Sequence, residues 1–87
     1  MSRYPLKAKV SNHEVVVGWD PPLNTFFAQV FDVSKDEDDE GRDVLWIGCR
    51  YKECHRVEEI ISKIRPYVDL TSKEYGELTA KLLVDSD

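Results

Sequence analysis

Residues 13–33, HEVVVGWDPPLNTFFAQVFDV, constrain the fold more than any other stretch. Val15, Val16, Val17 and Trp19 form one run. Phe26, Phe27, Val30, Phe31 and Val33 form a second. β-Branched and aromatic side chains suit a pleated, packed surface. Asp20-Pro21-Pro22-Leu23-Asn24 separates the runs. Proline fixes φ and has no amide to donate, while Asp and Asn tolerate turn geometry. The stretch reads as a β-hairpin.

Strand geometry sorts its side chains. Val15, Val17 and Trp19 share one face of the first arm; Glu14, Val16 and Gly18 share the other. On the second arm Phe27, Gln29, Phe31 and Val33 lie opposite Phe26, Ala28, Val30 and Asp32. Both faces carry apolar mass, whereas a sheet with one wet face alternates more cleanly. One face is expected to take helices. The other is expected to meet a partner, a second copy or a loop.

Residues 4–10 (YPLKAKV) predict a first strand, with Pro5 and the lysines suited to an edge. Residues 43–49 (DVLWIGC) predict another, apolar on both sides. Between the hairpin and this strand, residues 34–42 (SKDEDDEGR) hold five consecutive acids, whose mutual repulsion predicts a solvated loop. Val57, Ile60, Ile61 and Ile64 follow helical spacing. Glu58 and Glu59 at the start and Lys63 and Arg65 at the end complement the helix dipole. Pro66 predicts a stop at Arg65. Thr71-Ser72-Lys73-Glu74 matches a capping box that opens a second helix to about Val84. Acids at a helix C-terminus oppose the dipole, so residues 85–87 are expected to fray. The sum is a single α+β domain: an antiparallel sheet of three to four strands, then two C-terminal helices on one face.

The chain has 87 residues and a formal net charge of −5. With no cluster of basic residues, direct nucleic-acid binding is not expected. An acidic chain can instead meet a basic protein or mimic nucleic acid, though net charge serves solubility in most proteins. No apolar run approaches the roughly 20 residues of a membrane helix, and residues 1–5 form no signal core. A cytoplasmic protein with reduced cysteines is the expectation.

Candidate sites are few. Asp36, Asp38, Glu40 and Gly41 sit as in the front of a calcium loop, but the twelfth position, where a glutamate is needed, is Ile47. A solvated loop is the plainer reading. Cys49, Cys54, His55 and His13 are metal-ligand types, but Cys-x4-Cys-His is not a zinc pair spacing. Cys54 precedes a helix, which can lower a thiol pKa, yet adjacent His55 is not thereby its base. No phosphate-binding, dinucleotide-binding, nucleophile-elbow or metalloprotease motif is present, so no cofactor is expected. Gly18 and Gly48 fall in strands, where they mark bulges or the close approach of another backbone.

The surplus of aromatics is the strongest functional signal. Trp19, Phe26, Phe31 and Trp46 exceed what two short helices cover, and such surface marks interfaces. The expected function is a small non-enzymatic module that binds a protein partner or forms a homodimer through these four. The alternatives are a ligand- or metal-binding protein or thiol enzyme using the Cys and His residues, and an acidic nucleic-acid mimic.

Residues 17–30 (VGWDPPLNTFFAQV), 44–48 (VLWIG) and 64–67 (IRPY) resemble small uncharacterised bacterial proteins, some plasmid-borne. The likeness spans about half the chain. It implies a bacterial cytosolic protein and carries no activity or catalytic residues.

Overall fold

A computed structural model describes residues 2–86. Four strands come first: β1 (Tyr4–Leu6), β2 (His13–Asp20), β3 (Thr25–Asp32) and β4 (Asp43–Ile47). Two helices follow, α1 (Val57–Ile64) and α2 (Ser72–Ser86). The strands form one antiparallel sheet in the order β1-β2-β3-β4, so each pairs with its neighbour in sequence. This is the α+β architecture expected from strands followed by helices.

The hairpin sets the register. Trp19 lies opposite Phe26, Val17 opposite Ala28 and Val15 opposite Val30. Those six share the face that takes the helices. Tyr4 and Leu6 of β1 pair with Val17 and Val15, and Ile47 and Leu45 of β4 pair with Ala28 and Val30. These side chains meet Val57, Ile60 and Ile64 of α1, Val68 of the linker, and Leu78 and Leu82 of α2 in one core.

The helices start and stop for local reasons. In α1 the buried residues are Val57, Ile60, Ile61 and Ile64, the stripe that helical spacing predicts. Pro66 lies within a 3-10 turn, Arg65–Tyr67, that ends the helix. At the start of α2 the Glu74 amide donates to Thr71 Oγ1 at 3.2 Å, and the Thr71 amide donates to Glu74 Oε1 at 3.1 Å. That is the reciprocal capping box. Gly76 in α2 has open space where a Cβ would stand. Gly76→Ala is therefore expected to stabilise the protein by about 1 kcal/mol through helix propensity. The melting temperature should rise by roughly 4–8 °C.

Thr25 is a fully buried polar residue. Its hydroxyl accepts the Cys54 amide at 2.8 Å and lies 3.2 Å from the Cys54 carbonyl. The Phe26 amide donates to that same carbonyl at 3.1 Å. Together these bonds tie the approach to α1 onto β3. Thr25→Val keeps the shape and strands the Cys54 amide. The expected cost is about 1–3 kcal/mol, read as a lower denaturant midpoint at unchanged slope.

Three boundaries differ from the sequence reading. The first strand ends at Leu6, not near Val10. Beyond it, Ala8 bridges Val68, the Lys9 amide donates to Tyr67 and the Asp69 amide donates to Lys7. The sequence offers no local sign of that long-range pairing. β4 ends at Ile47 because Gly48 turns the chain at φ +81°. The second helix runs to Ser86, past the expected end near Val84. The Tyr4 phenol donates to the Asp85 carboxylate, and this bond, then burial, raises the Tyr4 pKa. Asp87 lies outside the described residues.

Candidate functional site: the outer face of the sheet

The face away from the helices is the site of interest. Across its middle runs a row of direct neighbours: Pro5 on β1, Val16 on β2, Gln29 on β3 and Trp46 on β4. Phe31 lies on the same face between Glu14 and Asp43. Phe27 lies opposite Gly18.

The four aromatics picked from sequence do not share this face. Trp19 and Phe26 belong to the helix side, where their rings meet edge to face at 4.9 Å. Phe26 is 2% exposed and sits in the core. Phe31 and Trp46 lie on the outer face, and Trp46 is 53% exposed. The four therefore form no common surface; of them, Phe31 and Trp46 share the outer face. Alternation along β3 already separates Phe26 from Phe31; register, with Phe26 opposite Trp19 across the turn of residues 21–24, puts Trp19 on the Phe26 side.

Part of this face is closed by backbone. Phe27 is buried, although it points away from the helices. The guanidinium of Arg3 stands over its ring at 5.8 Å. A Cβ at Gly18 would lie 2.0 Å from the Ser2 carbonyl oxygen. A Cβ at Gly48 would lie 2.1 Å from the Phe26 carbonyl oxygen and 2.5 Å from Phe27 Cα. Both glycines thus permit the close approach of another backbone, as expected from the sequence, although only Gly18 lies in a strand. Sequence reasoning passed over Arg3 and Phe27. Register decides that Phe27 lies opposite Gly18, and no neighbouring residue marks it in the sequence.

Between the closed part and Trp46 lies a cavity of about 290 Å³, lined by Arg3, Asp20, Phe27, Gln29, Trp46 and Cys49, among others. The Asp20 Oδ1 atom is buried without a hydrogen-bond partner among the described residues. The arrangement offers an indole face, one cation, one carboxylate and one amide on an apolar floor.

The Cys and His candidates are dispersed. His13 stands at the other end of β2, with its ring 6.5 Å from that of Tyr67. Cys49 is exposed at the cavity, and Cys54 is buried behind Thr25. His55 is exposed just before α1. No group of three or more metal-ligating side chains comes together among the described residues. Burial pushes the Cys54 thiol up, and Glu53 and Glu59 add to it. A thiol nucleophile needs the opposite shift.

The acidic connection is partly ordered. The Gly41 amide donates to Asp39 Oδ1 at 2.8 Å, opening a 3-10 turn over Glu40–Arg42. Arg42 Nη1 donates to the Lys35 carbonyl at 2.9 Å. Ile47, the twelfth position from Asp36, is in β4. From Asp32 to Asp43 seven acids face two bases, which is the whole net charge of −5; the rest of the chain carries ten of each. The excess charge therefore sits at one end of the outer face, beside Phe31 and the start of β4.

Among the described residues, no helix is long and apolar enough to cross a membrane. No protein-family model, curated protein or solved structure matches the chain.

Proposed function

We propose that this chain is a non-enzymatic association module whose contact surface is the outer face of its sheet. The observation that carries the reading is Trp46. An indole 53% exposed at the centre of a strand, beside exposed Val44, costs solubility unless it is covered by a partner. Tryptophan is also the residue type most enriched among interface anchors. Confinement of the net charge to one connection adds direction to an encounter. It does not supply the extended row of carboxylates that a nucleic-acid mimic needs. Two unpaired thiols fit a reducing, cytoplasmic setting.

The test is a paired capture from host lysate, with wild-type and Trp46→Ser baits of equal folded content. A protein, including an untagged copy of the chain, retained by wild type and lost with Trp46→Ser is the expected result. Equal retention by both baits contradicts the reading.

The cavity supports a second reading, a small polar ligand held between Trp46 and Asp20. The unpartnered Asp20 oxygen favours it. It requires a bound mass on the protein as isolated.

A further inference from the structure

The two edges of the sheet are built differently. β1 is three residues long and contains Pro5. Its continuation carries Lys7 and Lys9 and is already bonded to the Tyr67–Asp69 segment. Shortness, proline, lysine and a covering segment are the devices that keep an edge from pairing with another chain. β4 is five residues long, with no proline and no lysine. One side pairs with β3; among the described residues no strand pairs with the other. Its irregularity is confined to the Asp43–Val44 end, and Leu45, Trp46 and Ile47 run in regular register.

Charge is polarised along this edge. The acidic connection precedes β4, and exposed Arg50 and Lys52 follow it. The Lys52 amide donates to the Leu23 carbonyl, which holds the basic end beside the β2–β3 turn. Glu53 in the same turn is occupied by the Arg50 amide.

We propose that the partner that covers Trp46 is a second copy of this chain, joined by antiparallel pairing of the two β4 edges into one eight-stranded sheet. This rests on the association reading above. Direct antiparallel neighbours share a face, so the two-fold axis passes through Leu45 or Trp46. The first choice sets each Trp46 opposite Val44 of the other copy; the second sets the two indoles against each other. Either covers the most exposed apolar group of the strand. Either also brings the acidic connection of each copy beside Arg50 and Lys52 of the other. Stacking two outer faces would leave the β4 backbone edge unpaired, and a purely basic partner would leave Arg50 and Lys52 unmatched. An edge contact is smaller than the standard interface of about 1,600 Å², so the dimer forms with rising concentration rather than being obligate.

The test uses the full chain and two charge-reversed variants at exposed positions. One is Arg50→Glu with Lys52→Glu; the other is Asp36→Lys, Asp38→Lys and Glu40→Lys. Circular dichroism checks that each is folded, and sedimentation equilibrium reads association. Wild type is expected to dimerise with concentration, and its β4 amides to exchange more slowly as it does. Each variant alone should associate at least about tenfold more weakly, and an equimolar mixture should restore a one-to-one heterodimer. A wild-type dimer indifferent to both reversals, with unprotected β4 amides, overturns edge pairing and leaves outer-face association standing. A wild type that stays monomeric overturns edge pairing. If the paired capture also finds nothing specific to Trp46, the association reading falls with it.

Discussion

Gly48→Ala is expected to cost at least about 3 kcal/mol, combining strain at a positive φ with overpacking against fixed atoms. The residue sits at φ +81°, where an L side chain is strained in any surroundings. Its added methyl would also fall 2.1 Å from the Phe26 carbonyl oxygen and 2.5 Å from Phe27 Cα. Both are backbone atoms of β3 and cannot swing aside. Relief requires the segment after Ile47 to lift off β3, which opens the cavity and uncovers Phe27. An 87-residue domain has a total stability of about 4–13 kcal/mol, so a large share is at stake. Urea denaturation followed by circular dichroism measures it. A loss below about 1 kcal/mol would mean that the chain does not cross β3 closely at Gly48.

Phe26→Ala is expected to cost about 3–5 kcal/mol, the range for a large aromatic deleted from a packed core. Phe26 is among the largest fully buried side chains, and Trp19 packs on its edge. Loss of the near-ultraviolet signal of Trp19 should accompany the loss of stability. Trp46→Ser supplies the contrast. The indole is half exposed on an edge strand, and its removal should cost about 1 kcal/mol or less, within the span of strand propensity. Equal costs at the two positions would contradict the assignment of these aromatics to opposite faces.

That assignment shows what the sequence could and could not reveal. Alternation sorted each arm of the hairpin correctly, because a strand has only two faces. It could not decide which face of one arm meets which face of the other. Turn length decides that, and a shift of one residue would have placed Phe27 beside Trp19 in the core. Local signals were legible where the physics is local: the α1 stripe, the Pro66 stop and the Thr71–Glu74 box. The Ala8–Val68 bridge and the Tyr4–Asp85 bond join residues far apart in sequence, and no neighbouring residue announces them. The outer site was half legible. Trp46 was found from composition and Gly48 from its place in a predicted strand. Arg3 and Asp20 emerged only once folding brought the turn end of the hairpin, the end of β4 and the N-terminal segment together.

The central claim is that the outer face, through Trp46, is an association surface. Native mass spectrometry of untagged protein purified without chelator tests it most directly, run over a concentration series beside Trp46→Ser. The expected result is a dimer population that grows with concentration in wild type and is lost in a folded Trp46→Ser protein. A wild type that remains monomeric while carrying a stoichiometric small-molecule or metal mass, or a dimer equally populated in both proteins, would contradict it.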